Sequence, residues 1–229
     1  MNGAGDGNGG ERRVLPQVGP ERQEVPSWRL LVTLGSAGAI AGLLLVFVYQ
    51  ATQPAIQAYK ARMLRLAVQE VLKGPERWDT LYVVDGGLVP QPPAGSDAAD
   101  LEMVFLGYRE DGEPLGFAIA GAEFGFQDII ELIFGYDPQT RTVIGMKVLA
   151  NKETPGLGDK IVKDSVFVAE FDGPETPLAG VKSGRATGAA NEVDMITGAT
   201  ISSRAVIAII NHRLEEYGPM IEAYLEGAS

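Results

Sequence analysis

The chain has 229 residues, a formal net charge of -11, one histidine and no cysteine. That length allows one domain of ordinary size with appendages. The acidity argues against nucleic acid as a partner and against docking of the body on anionic lipid, since both need Lys and Arg clusters. The lack of cysteine excludes disulfides, thiolate zinc sites and Cys-ligated iron–sulfur clusters.

Residues 1–27 are rich in Gly, Asn, Pro and charge and read as a disordered cytoplasmic tail. In the stretch up to residue 29, Asp6, Glu11, Glu21 and Glu24 balance Arg12, Arg13, Arg22 and Arg29, so the charge deficit lies further along. Residues 28–49 follow as a transmembrane helix. From Leu30 to Tyr49 there is no charged residue, and about 20 such residues span the hydrocarbon core. A buried core helix would seldom run so long without a charge, and a cleaved signal peptide would not begin so far into the chain. Trp28 and Tyr49 suit the two interfaces. Arg12, Arg13, Arg22 and Arg29, set against Lys60, Arg62 and Arg65, narrowly favour a cytoplasmic N-terminus and a body outside the cytoplasm.

Residues 50–73 read as a connecting helix leading into the body. Leu64, Ala67, Val68, Val71 and Leu72 share one face, and Gly74-Pro75 stops it. The domain itself is expected over residues 74–229. A strand is expected at 80–84. Residues 89–100, with Pro90, Pro92, Pro93 and Gly95, read as a loop. Runs at 103–109 and 115–120 flank Asp111-Gly112, and runs at 129–136 and 143–149 flank Asp137-Pro138, which are two hairpin signals. Gly-rich stretches at 154–158 and 180–190 read as loops. Residues 201–225 form an amphipathic helix with Val206, Ile209, Ile210, Leu214 and Met220 on its apolar face; Gly218-Pro219 is expected to break or kink it. His212, on this helix, has no soft ligand beside it and reads as a surface residue rather than a metal ligand. The pattern indicates an α+β domain with a mainly antiparallel sheet and flanking helices.

The stretch that carries chemistry is Asp194-Met195-Ile196-Thr197-Gly198-Ala199-Thr200-Ile201-Ser202-Ser203. A hydroxyl-rich turn feeding a helix N-terminus suits a phosphate, because free amides and the helix dipole face it. Gly198 and Ala199 allow close approach; Thr200, Ser202 and Ser203 supply hydroxyls. From physics alone a plain N-cap explains the same residues.

Asp194-x-x-Thr197-Gly198-Ala199-Thr200 resembles the flavinylation motif of the FMN-binding domain family. That family includes the G subunit of the Rnf ion-translocating oxidoreductase and the C subunit of the sodium-pumping NADH:quinone reductase. A Ser/Thr-Gly-Ala-Thr string arises by chance in about one chain in 100 of this length, and Asp194 at the right offset makes it rarer still. The resemblance implies one FMN esterified through its phosphate to Thr200 by a flavin transferase that uses FAD. It makes Asp194 a guide for that transferase or an organiser of the turn.

Lys152-Glu153-Thr154-Pro155-Gly156-Leu157-Gly158 resembles the same family's flavin-facing loop. On that resemblance Glu153, Thr154, Gly156 and Leu157 join Asp194, Thr197, Gly198, Ala199, Thr200 and Ser202 as cofactor-binding candidates. Amides of the loop would meet the ring edge and Leu157 would cover its face. Two partial echoes, Glu175-Thr176-Pro177 and Thr187-Gly188-Ala189-Ala190, lack the rest of their motifs and read as structural loops.

The resemblance runs from the membrane anchor to the C-terminus, with departures. Asn151 stands where relatives often carry a histidine, the Phe124-Gly125-Phe126 stretch has fewer glycines than usual, and the N-terminal tail is longer. The implied role is a redox relay in a multi-subunit membrane complex that moves electrons between ferredoxin and NAD and couples this to sodium or proton transport. Compactness favours the Rnf protein over its quinone-reductase counterpart. The rival is a membrane-tethered sensor or binding module without flavin. A free-standing flavin enzyme lacks support, since the chain has no nicotinamide fingerprint.

Overall fold

A computed structural model describes residues 26–98 and 101–228. The expectation for the tail lies, up to residue 25, outside the described residues. The chain divides into two units at Ala55 and Ile56.

Helix α1 (Ser27–Val71) begins in the first unit and ends in the second. Its apolar stretch has a mean hydropathy of 2.3, none of it buried within the protein, and it is long enough to cross a membrane. The sequence distinguishes a span from a connecting helix, whereas the structure draws one continuous helix through Pro54. Pro54 removes one amide, the one that would bond the carbonyl of Gln50.

The second unit holds a six-stranded sheet in the order β2-β1-β3-β4-β5-β6. Its strands are β1 (Arg77–Val84), β2 (Gly87–Val89), β3 (Met103–Tyr108), β4 (Pro114–Phe124), β5 (Ile129–Asp137) and β6 (Thr142–Ala150). Every neighbouring pair is antiparallel. Strand β2 is an addition to the sequence reading, and it takes Val89 from the expected loop. Asp85 and Gly86 both adopt positive φ, at 50° and 77°, the two-residue turn that closes a tight hairpin.

Both sheet faces are covered. Successive β4 residues go to opposite sides: Phe117 and Ile119 to one core, Ala118 to the other. In β5, Leu132 and Phe134 point one way and Ile133 the other. The first core is closed by helix α4 (Thr200–Ala228) through Val206, Ile209 and Ile210. The second is closed by the end of α1 through Ala67, Val68, Val71 and Leu72. Leu64, Leu214 and Met220 pack at the margins, so both expected helical faces are the buried ones. Double coverage explains why β5 is nearly continuously buried, where a half-solvated antiparallel strand would alternate.

Three features depart from the sequence reading. The stretch around 180–190 carries strand at both ends, β7 (Ala179–Lys182) and β8 (Glu192–Met195), paired in parallel. Two short helices, α2 (Lys160–Lys163) and α3 (Ser165–Ala169), precede them. Helix α4 continues through Pro219 without the break that the sequence allows there; the burial of Tyr217 and Ile221 on either side holds both halves on the sheet.

Candidate functional site

Helix α4 starts at Thr200. The turn before it depends on Gly198, whose φ of +84° a side chain would resist. The Ala199 amide donates to the Ile196 carbonyl and the Ser203 amide to the Ala199 carbonyl. The first residues of the helix, whose amides have no partner within it, belong to the lining of a cavity of about 290 Å³ formed by Phe126, Leu157, Gly158, Gly198, Ala199, Thr200, Ile201 and Ser202.

Three chain segments far apart in sequence form that cavity, and the Glu153 carboxylate joins them. Glu153 is buried. Its Oε1 accepts from the amides of Phe126 (2.9 Å) and Gln127 (3.1 Å) on the β4–β5 turn. Its Oε2 accepts from the Ser202 hydroxyl (2.7 Å) in the first turn of α4. Thr154 donates its hydroxyl to Gln127 Oε1 at 2.8 Å, a second tie between the loop and the turn. The Ser202 hydroxyl is therefore directed inward to Glu153, and the Ser203 hydroxyl accepts from the Ile196 amide. Of the three hydroxyls that follow Ala199, Thr200 is the one that lines the cavity without such a bond among the described residues.

The 153–158 loop turns on Gly156, at φ +79°, with its amide donating to Asp159 Oδ1 at 2.6 Å. Lys163, one helical turn on, reaches Asp159 Oδ2 at 2.5 Å. The hydrogen bond from Lys163, together with the Gly156 amide, holds the Asp159 carboxyl below its ordinary value of 3.8 against the opposing effect of burial. A depressed folded-state pKa means that the unfolded chain takes up this proton first. The stabilisation is complete above 3.8 and is lost as pH falls further. Replacing Asp159 with Asn is expected to flatten the stability profile in that acid window; a thermal-melting series across pH reads it.

Asp194 sits on β8, opposite Val181. Its Oδ1 is buried without a hydrogen-bond partner among the described residues, and its amide donates to Glu170 Oε2 at 3.4 Å. Asp194 and Thr197 line a neighbouring cavity of about 320 Å³ with Lys160, Asp164, Glu170 and Ser183, rather than the cavity at Thr200. The sequence candidates thus divide: Gly198, Ala199, Thr200, Ser202 and Leu157 share one cavity, Asp194 and Thr197 the next, while Glu153, Thr154 and Gly156 line neither: Glu153 is buried, Thr154 half-buried and Gly156 exposed. Sequence reasoning misses Phe126, Gly158 and Ile201 as lining residues. Phe126 is legible as an apolar residue in a turn, which is an uneconomic place for one unless it covers something. His212 is exposed and lies 2.5 Å from Glu123. Among the described residues no cluster of three or more His, Cys, Asp or Glu is placed to hold a metal ion.

The residues fit a flavin mononucleotide. The cavity supplies apolar walls in Phe126, Leu157, Ala199 and Ile201 for a flat ring. It also supplies a helix start for a phosphate and one hydroxyl at the junction. Its volume, at the low end for ligand pockets, suits a ring held at the surface rather than engulfed.

The family model described as the FMN-binding domain matches residues 125–215. Among curated proteins, the G subunit of the ion-translocating oxidoreductase complex of Vibrio vulnificus is 31% identical over 182 residues, covering 78% of this chain and 83% of that protein. The chain belongs to this family of ion-translocating oxidoreductase G subunits. The G subunit of Pseudoalteromonas atlantica is 31% identical over 189 residues, 81% of this chain and 86% of its own length. That of Methanosarcina acetivorans is 28% identical over 192 residues, 82% and 92% respectively.

Among solved structures, NqrC of Shewanella oneidensis shares the fold at a TM-score of 0.58 and 19% identity, over 67% of this chain and 91% of that one. The C subunit of the Na(+)-translocating NADH-quinone reductase of Parabacteroides distasonis has a TM-score of 0.51 and 26% identity, over 62% and 76%. The FMN-binding match runs from the β4–β5 turn to the middle of α4, so it contains every residue that lines the cavity.

Proposed function

We propose that this member of the G-subunit family carries one FMN joined through its phosphate to Thr200 and relays electrons within a membrane complex that couples electron transfer to ion movement. The observation that carries the reading is the position of Thr200: at the first turn of α4, lining an apolar cavity, inside the stretch that matches the FMN-binding domain. The complex and the coupled ion transport come from the names of its relatives.

The bound FMN would supply reversible uptake and release of electrons. The chain's own residues supply position. Phe126, Leu157 and Ile201 shield the ring, the α4 amides hold the phosphate, and Thr200 is an attachment point rather than a group in turnover. A covalent link prevents exchange, which suits a relay. Electrons passing between ferredoxin and NAD would cross this station, with neighbouring iron–sulfur, flavin and membrane subunits as partners and a flavin transferase as the maturation enzyme. The arginine bias supports a cytoplasmic N-terminus and a flavin domain on the other side of the inner membrane.

The C subunit of a sodium-pumping quinone reductase is the second reading, favoured by the shared fold. The oxidoreductase G subunits, matched along most of their length, favour the first. The test is the intact mass of the full chain made with a flavin transferase and FAD. The expected gain is one FMN less one water; no gain beside an active control would defeat the covalent reading.

A further inference from the structure

The Glu153 carboxylate occupies a space that the sequence keeps open for it. A methyl group added at Gly125 would meet Glu153 Oε1 and Ile130 Cδ1; one added at Gly158 would meet Glu153 Oε2 and would lie 2.9 Å from Ser202 Oγ. Neither loop can carry a side chain at these points without displacing the carboxylate. Two backbone amides, one hydroxyl and two glycines from three separate segments therefore converge on one buried side chain.

We infer that Glu153 is a positioning residue rather than a flavin ligand. It clamps the Phe126 turn and the Leu157 loop onto the first turn of α4, so that the walls of the cavity and the Thr200 hydroxyl are assembled before any cofactor arrives. The inference rests on the FMN reading for its purpose but not for its geometry. Both faces of the carboxylate are used by the protein: Oε1 by the β4–β5 turn and Oε2 by Ser202. The clamp also explains the orientation of the Ser202 hydroxyl, away from the cavity that this residue lines.

A clamp makes a demand that a charge does not. Gln at 153 can keep it, with its carbonyl oxygen accepting from the Phe126 and Gln127 amides and its NH2 donating to a Ser202 hydroxyl that turns to accept. Asp is one methylene too short to span both sides, and Ala leaves the Phe126 and Gln127 amides without their acceptor. The ranking is therefore Glu, then Gln close behind, then Asp, then Ala. A role through negative charge, whether towards the transferase or the flavin, would place Gln with Ala.

The experiment uses the full chain in detergent, first without flavin. Amide hydrogen exchange is followed at Phe126 and Gln127 for the wild type, Glu153→Gln, Glu153→Asp and Glu153→Ala, and the initial rate of flavin attachment is then measured with transferase and FAD. Exchange about tenfold faster in Glu153→Ala, with Glu153→Gln within about threefold of wild type, is expected from the loss or retention of the acceptor. Attachment rates should follow the same order, and Ser202→Ala added to Glu153→Gln should remove the rescue. Wild-type exchange in Glu153→Ala, or Glu153→Gln behaving like Glu153→Ala, would overturn the clamp. If Glu153→Ala does not fold, Glu153→Asp and Gly158→Ala carry the same comparison. Should the exchange order hold while even the wild type takes no flavin, the clamp stands and the covalent FMN reading is the part that fails.

Discussion

Gly135→Ala is expected to be the most destabilising single methyl that this domain can receive, at about 3 kcal/mol. A Cβ at Gly135 would be driven into the Val71 carbonyl group, 3.0 Å from its carbon, and would lie 3.2 Å from Ile144 Cβ. Its backbone φ is ordinary, so the cost is one of space. The obstacle is main chain at the end of α1, which cannot swing aside as a side chain would. That helix end is fixed by Ala67, Val68, Val71 and Leu72, all buried against Phe105, Ala118 and Ile133. Each fully buried Val or Leu contributes about 1.5–3 kcal/mol, so withdrawing the helix costs more than the methyl gains. Gly145 is the control. Its added Cβ would lie 3.3 Å from the Val71 oxygen and 3.4 Å from the Lys73 Cε, and Gly145→Ala should cost about 1 kcal/mol or less. For a domain of this size 1 kcal/mol moves the melting temperature by about 2–4 °C, so calorimetry separates the two variants easily.

Thr200→Val is expected to abolish flavin attachment while leaving the fold in place. Val keeps the β-branched shape and removes the one oxygen that could be esterified, so the loss should be complete rather than graded. The surrounding hydroxyls are poor substitutes. Ser202 is bonded to Glu153 and Ser203 to the Ile196 amide, and Thr197 lines the neighbouring cavity. Thr197→Val and Ser203→Ala should accordingly retain the flavin. Their folded content, read by circular dichroism, should match that of Thr200→Val. In-gel fluorescence after denaturation distinguishes the set, because only a covalently held flavin stays with the band.

Much of the fold is legible in the amino-acid sequence alone, and the reasons are physical. The antiparallel sheet announces itself through Asp111-Gly112 and Asp137-Pro138, where turn chemistry is local and strong. The two covering faces, Ala67-Val68-Val71-Leu72 and Val206-Ile209-Ile210, stand out because helical periodicity accumulates over several turns. The parallel pair β7 and β8 does not: four residues each, separated by a glycine-rich loop, they are specified by long-range pairing that no short window contains. Helices α2 and α3 are too brief to show a period.

At the site, the place of Thr200 at a helix start is legible from adjacent residues, whereas its proposed role as flavin acceptor comes from the motif resemblance and not from local physics, which a plain N-cap satisfies. The arrangement around Glu153 is not. Its partners lie 26, 27 and 49 residues away, and a buried carboxylate is normally a residue to be explained rather than expected. The separation of Asp194 from the Thr200 cavity is equally hidden, because a few residues of irregular chain can place two side chains in the same pocket or in adjacent ones.

The most direct measurement is fragmentation of the tryptic peptide spanning residues 186–204 from the full chain isolated in its native membrane. This peptide carries Thr187, Thr197, Thr200, Ser202 and Ser203, so it holds the proposed acceptor together with every nearby alternative. An FMN less one water, retained by every fragment that contains Thr200 and by none that lacks it, is the expected result. An unmodified peptide from a preparation whose partner subunits are intact, or a flavin on any of the other four hydroxyls, would contradict the account.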